Sequence, residues 1–146
     1  MNTRVEMWSV FGLVAAVVMA GCGADGPPRG DVRGRVTVGG EPVENGAIVF
    51  VPVAGIQGAP VQFQIVNGEY ASDVKGPVVG KNSVQISGAR ATGKQTMNMV
   101  TGEQVDVFEE IVPAKYNNDR SELSADIQAG ENTFDFELDG KPRKAG

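Results

Sequence analysis

From Asp31 to Leu138 the apolar residues of this chain recur at every second position, and that period constrains its fold more than any other feature. In DVRGRVTV, Val32, Gly34, Val36 and Val38 share one face and Arg33, Arg35 and Thr37 the other, as in a strand covered on one side. The same reading turns Val61, Phe63 and Ile65 inward in PVQFQIV, and Val84 and Ile86 in NSVQIS. It does so for Leu123, Ala125 and Ile127 in SELSADI, and for Phe134, Phe136 and Leu138 in NTFDFEL. AIVFVP is apolar on both faces, the mark of a strand covered on each side, and Pro52 ends it. Asn67-Gly68 reads as a tight hairpin turn into Glu69-Tyr70-Ala71. EQVDVFEEIV gives a weaker strand signal.

No segment after Cys22 follows the 3.6-residue period of an amphipathic helix. With 20 glycines and 8 prolines to supply turns, the expected fold is all-β. An antiparallel Greek-key β-sandwich of about seven strands fits the spacing of the turn signals.

Cys22 is the only cysteine, so no internal disulfide forms and packing alone must hold the core. Residues 10–20 ahead of it carry no charge; Arg4 precedes them, with Glu6 diluting the positive signal, in the layout of an export signal. Counted generously over residues 7–21, the apolar run is 15 residues long, too short for a membrane helix. A signal peptide over residues 1–21 is therefore expected. Its end, Met19-Ala20-Gly21-Cys22, resembles the bacterial lipobox of Leu-Ala-Gly-Cys type, with Met in place of the commoner Leu. That resemblance implies cleavage between Gly21 and Cys22, a diacylglyceryl group on the Cys22 thiol and acylation of the new amino terminus. The alternative is a buried structural cysteine, although GADGPPRG directly after it does not suit a packed core. Each buried methylene contributes about 0.8 kcal/mol, so two or three acyl chains hold a protein to a bilayer essentially for good. Residues 22–30 then serve as a lipidated tether able to extend to roughly 25 Å. The β-sandwich domain is expected over residues 31–139 and a frayed tail over residues 140–146, where Lys141, Arg143 and Lys144 could touch anionic lipid or polymer.

The net charge of -5 is unchanged by removal of residues 1–21, and no basic stripe appears, so no nucleic-acid partner is expected. The chain has no histidine, which excludes Ser-His-Asp and Cys-His catalysis and the imidazole-based zinc site. No catalytic residue, metal ligand or cofactor is assigned, and an enzyme is not expected.

VRGRVTVGGEPVENGAIVFVP, NGEY, VVGKNSVQISGARATGK and IVPAKYNNDRSELSADIQAGENTFDFEL together resemble small lipoproteins of planctomycete-type bacteria that carry a carboxypeptidase-regulatory-like, transthyretin-like domain. The resemblance covers residues 31–138, and its most distinctive block is Pro113-Ala114-Lys115-Tyr116-Asn117 followed by Ser121 and Leu123. It implies a prealbumin-type sandwich on a lipid anchor and no established activity. Hydrolases of a purine-pathway intermediate in the transthyretin-like group carry histidines and a carboxy-terminal Tyr-Arg-Gly-Ser; this chain ends DGKPRKAG, and that activity does not carry over. Gly23 after the acylated residue, rather than Asp, resembles cargo sent to an outer membrane.

Asp135 and Glu137 alternate with Phe134, Phe136 and Leu138 and read as a solvated strand face rather than a paired-carboxylate site. Glu109 and Glu110 are adjacent and should point to opposite sides of a strand. Asn117, Asn118, Asp119 and Glu122 surround Arg120 and read as an Asx-type turn, with a cation site as the alternative. Nothing fixes a Lys, Asn and acid triad for an isopeptide cross-link. The only tryptophan, Trp8, lies in the signal, so no ring platform for sugar stands out. The longest irregular stretch, residues 88–103, is the candidate binding loop, with Arg90 and Lys94 as anion contacts and Met97 and Met99 as adaptable apolar contacts. A mobile solvated loop is the alternative. Two functions stay open: an envelope-anchored structural or protein-interaction module whose partners are the membrane and another envelope protein, and a lipoprotein that binds carbohydrate or metal.

Overall fold

The computed structural model describes residues 26–73 and 75–140; the signal peptide, Gly21, Cys22 and the tail beyond Gly140 lie outside the described residues. β1 (Gly30–Val38) buries Val32, Val36 and Val38 and leaves Arg33 and Arg35 exposed. Gly39 and Gly40, both at positive φ (58° and 85°), make the two-residue turn into β2 (Glu41–Pro42). β3 (Asn45–Pro52) runs antiparallel to β4 (Val61–Val66), and Asn67 and Gly68 at φ 51° and 79° turn β4 into β5 (Glu69–Ala71). Both central residues at positive φ is what a primed hairpin turn requires, and Asn-Gly supplies it at least cost.

β6 (Gly80–Met97) is the longest strand, at 18 residues. One of its edges pairs with β3 from Asn82 to Ala89. The other takes β8 (Leu123–Ile127) along Gly80 to Val84 and then β7 (Gln104–Glu110) from Ala89 onward. Between β7 and β8 a single 3-10 turn, Ala114–Tyr116, tucks Tyr116 into the core. β9 (Gly130–Thr133) and β10 (Phe136–Leu138) pair with the first and second halves of β1.

The fold is all-β, an open sheet of ten strands in the order β10-β1-β5-β4-β3-β6-β7 with β2, β8 and β9 branching from it. Two departures from the sequence reading stand out. Both β9 and β10 are parallel to β1, while the other seven pairings are antiparallel. β8 runs against β6, and the reversal at Gln128-Ala129 sends the chain back along the direction of β1. NTFDFEL, continuous in its alternation, is also interrupted. Phe134 N donates to Arg33 O (2.9 Å), but the next donor on β1, Arg35 N, finds the Asp135 carboxylate (2.8 Å) instead of a carbonyl. Phe134 O is turned to the Tyr70 hydroxyl (2.7 Å), so one expected strand becomes two, and with the short β2 the count reaches ten rather than about seven.

Strands from opposite sides of the order, β10 and β1 on one side and β3, β6 and its partner β8 on the other, contribute to one core, so the sheet curls over itself. Phe50 sits at its centre, fully buried, with ring centroids 6.2 Å from Phe63 and 6.2 Å from Tyr70, which in turn lies 6.4 Å from Phe136. Each such buried side chain contributes about 1.5–3 kcal/mol. Buried Asn132 gathers the β8–β9 turn, its amide donating to the carbonyls of Gln128, Gly130 and Asp31 while its Oδ1 accepts from Gln128 N.

The register defines two poles. At the proximal pole the chain leading into β1 is sewn to the start of β6: Gly30 N donates to Pro77 O (3.0 Å), Val79 N to Pro28 O (2.8 Å), and Arg29 bridges Val78. β1 and β6 run in the same direction, because an even number of antiparallel steps separates them in the sheet. The far end of β1 and the far end of β6 therefore share the distal pole, where Gly39 N takes Leu138 O (2.9 Å) and Arg90 reaches Glu41.

Candidate functional site

β6 outruns the body of the sheet. Its last partner on β3 is Asn45 opposite Ala89, and the eight residues beyond, as far as Met97, pair only with β7. The stretch expected as an irregular loop over residues 88–103 is thus strand to Met97 followed by a turn. Arg90 to Glu109 form a two-stranded arm projecting from the distal pole. The β6 half of the arm was invisible as a strand because Thr92, Gln95 and Thr96 place polar groups on both faces and leave no period-two signal, whereas the β7 half was read as the weak strand EQVDVFEEIV.

The arm's root is fixed by charge. Arg90 Nη2 lies 2.8 Å from Glu109 Oε1 and its Nη1 3.7 Å from Glu41 Oε2, tying arm to body. On the opposite side of β7, Glu110 Oε1 accepts from Gly88 N (2.9 Å) and Val112 N (3.0 Å). Further out the register shifts between Ala91 and Gln95, where Gly93 sits at φ 76°, and the Thr92 hydroxyl bridges the irregularity by donating to Val107 O (2.9 Å).

Asn98 builds the tip. Its Oδ1 accepts from Val100 N (2.9 Å) and Thr101 N (3.3 Å), its N donates to Glu103 O (2.8 Å), and its carbonyl takes Gly102 N (2.7 Å), with Gly102 at φ 73°. The side chains at the apex have nowhere to fold back: Met99 is 92% exposed and Val100 93%. Met97, Phe108 and Val105 are exposed on the arm behind them, so that five of the six exposed large apolar residues of the described chain belong to this one element. Cross-strand pairing puts Met97 and Phe108 on one face, opposite Gln104 and Ala91, and Val105 on the other, opposite Thr96. A soluble surface rarely concentrates apolar groups this way without use for them.

Of the four residues singled out in the sequence, all lie on the arm, but in different roles. Arg90 is engaged at the root by two carboxylates. Lys94 is exposed in the irregular region and makes no ion pair among the described residues. Met97 and Met99 form the apolar tip, joined by Val100, Val105 and Phe108, which sequence reasoning missed although a large apolar residue in a polar stretch was a signal to hand.

A second candidate is a broad depression of about 820 Å³ on the outer face of β1, β4 and β5, lined by Arg33, Arg35, Gln64, Glu69 and Asp135. Arg35 pairs with Glu69 across it (3.2 Å), Arg33 with Glu131 beside it (2.8 Å), and the Asp135 carboxylate accepts from Arg35 N (2.8 Å). Beneath it the Tyr70 phenol is held well above the usual tyrosine range, first by burial and then by the charge of Asp135. At the distal pole Asp139 accepts from Lys115 Nζ (3.0 Å) and from the Tyr116 hydroxyl (3.2 Å). Those two donors, Lys115 first, hold the Asp139 carboxyl below its usual range, and Lys115 is raised by the Tyr116 hydroxyl and by Asp139. Asn118 forms an Asx turn, Oδ1 accepting from Arg120 N (2.8 Å), and Glu122 approaches Lys115 (4.0 Å).

Together the fold and the site define an all-β module with one projecting two-stranded arm. Comparison with protein-family models, with curated proteins and with solved structures gave no match for this chain, so the functional reading rests on its residues and geometry.

Proposed function

We propose that this protein is an exported, lipid-anchored cell-envelope module that works by binding a partner protein through its arm and performs no catalysis. In this reading its domain is a Greek-key sandwich of transthyretin type, like that of the small lipoproteins the sequence resembles, and Cys22 carries the acyl chains. The observation that supports it best is the arm, a two-stranded element whose exposed apolar tip stands at the pole opposite the one where the described chain begins. An anchor at one end and a contact surface at the other suit a module that presents itself away from a bilayer. The test is the intact mass and cell fractionation of the exported protein beside its Cys22→Ser variant. The expected outcome is a membrane-bound product starting at Cys22 with added lipid mass, and neither membrane retention nor lipid mass in the variant. A soluble, unmodified wild-type product refutes the anchoring.

The broad, charge-bearing depression beside Arg35 favours one second reading, carbohydrate binding, and titration of the domain with soluble glycans while observing amides of β1 and β5 decides it.

A further inference from the structure

We propose that the arm is a plug that enters an apolar, basic-rimmed cleft of its partner protein and is enclosed on both faces; the inference rests on the binding role just proposed. The arm's dimensions lead to it. Six paired residues of β7 at about 3.3 Å each make a ribbon roughly 20 Å long and about 10 Å across, so one face offers on the order of 200 Å². A stable interface takes about 800 Å² from each partner, four times that area. Packing the arm flat against a second copy of the chain, or laying it on any plane surface, uses one face and leaves the apolar side chains of the other in water. Enclosure of both faces, both edges and the tip reaches roughly 800 Å², and a cleft provides it.

The residues agree with enclosure. Apolar side chains stand on both faces, Met97 and Phe108 on one and Val105 on the other, with Met99 and Val100 at the end, where a ribbon docked flat would need them on one side alone. Methionine side chains adapt to an irregular apolar wall. The Asn98 turn and the Arg90 clamp order the arm in advance, which lowers the entropy lost on insertion. Charge then separates a protein cleft from a bilayer. Glu103 and Asp106 flank the tip with no ion pair among the described residues, against Lys94 alone. Two carboxylates beside the inserting residues repel an anionic lipid surface, and basic side chains at the mouth of a cleft complement them. Reach fits as well: the 18 residues of β6 carry the tip about 60 Å from the proximal pole, away from any anchor upstream of Gly30.

The experiment is site-specific photo-crosslinking in cells making the full-length chain, with benzoylphenylalanine placed singly at Met99, Val105, Phe108 and, on the body, Gln62. The expected result is one and the same heterologous protein product from all three arm positions, its crosslinked peptides containing apolar residues beside Lys or Arg. In a Met99→Asp, Val100→Asp background the yield from Val105 and Phe108 should fall at least tenfold, while the melting temperature of that variant stays unchanged. Product from only one of Val105 and Phe108 overturns enclosure, as do adducts of lipid mass, a product of twice the chain's mass, or no product from the arm. A protein product confined to one face of the arm refutes the plug and leaves binding through the arm standing; product from Gln62 with none from the arm, or no product at any of the four positions, removes both.

Discussion

Alanine at Gly34 should destabilise the domain by about 1–2.6 kcal/mol, through backbone crowding and nothing else. Gly34 lies in the middle of β1 at an ordinary extended φ, where alanine is normally welcome. The obstacle is Phe134: a Cβ on Gly34 would lie 2.6 Å from the Phe134 carbonyl carbon and closer still to its oxygen, where real Cβ atoms keep beyond 3.0 Å. The carbonyl has to retreat, and three hydrogen bonds hold that segment in place: Tyr70 hydroxyl to Phe134 O (2.7 Å), Phe134 N to Arg33 O (2.9 Å) and Arg35 N to Asp135 Oδ1 (2.8 Å). Losing two or three such bonds costs about 2–3 kcal/mol, and the stiffer unfolded chain returns about 0.4–1 kcal/mol. Equilibrium urea unfolding of the chain lacking residues 1–22 should show the loss as a lower midpoint at unchanged slope, and a thermal scan as a fall of about 5–12 °C. A double-mutant cycle locates the cause. Tyr70→Phe alone removes about 1 kcal/mol, and in the Gly34→Ala background it should remove almost nothing, because the bond has already been broken. Additive losses, or an unchanged or raised midpoint for Gly34→Ala, refute the reasoning.

Other consequences are as direct. Phe50→Ala, which empties the centre of the core, should cost about 3–5 kcal/mol in the same urea assay. In a Tyr116→Phe variant, absorbance at 295 nm should show Tyr70 un-ionised well past the ordinary tyrosine value near pH 10; since its native pKa is raised, stability is complete below that value and falls as pH rises above it. The Asp139 latch works in the other direction, because its native pKa is lowered. The stability difference between the parent and Asp139→Asn should be complete above about pH 4, fade as pH drops through the lowered native value, and shrink in high salt, since the pair is exposed.

Period-two patterning made the core legible wherever one face meets the interior: Val32, Val36 and Val38, then Phe63 and Ile65, then Ala125 and Ile127, are buried as the alternation requires. The Asn67-Gly68 turn was legible because φ is positive at both residues and few other dipeptides tolerate it. The break between β9 and β10 was not. Phe134, Phe136 and Leu138 keep a regular alternation across it, and what interrupts the ladder is a carboxylate of Asp135 standing in for a carbonyl, which leaves no trace in hydrophobic pattern. Parallel pairing of β9 and β10 with β1 was equally hidden, since it depends on where the chain reverses after β8 and not on composition. At the candidate site, methionines in a polar stretch drew the eye to Met97 and Met99, whereas Arg90's two carboxylate partners, 49 positions before it and 19 after it, come together only in the fold.

Because the arm continues two strands beyond the last contact with β3, its length is independent of the core. Adding or deleting one residue from each strand changes reach by about 3.3 Å and swaps which side chains face which way, whereas changes of two per strand preserve facing and move the tip in steps of about 7 Å. Small matched insertions near Gly93 and in the facing strand can therefore retune how far the tip stands from the body without disturbing interior packing.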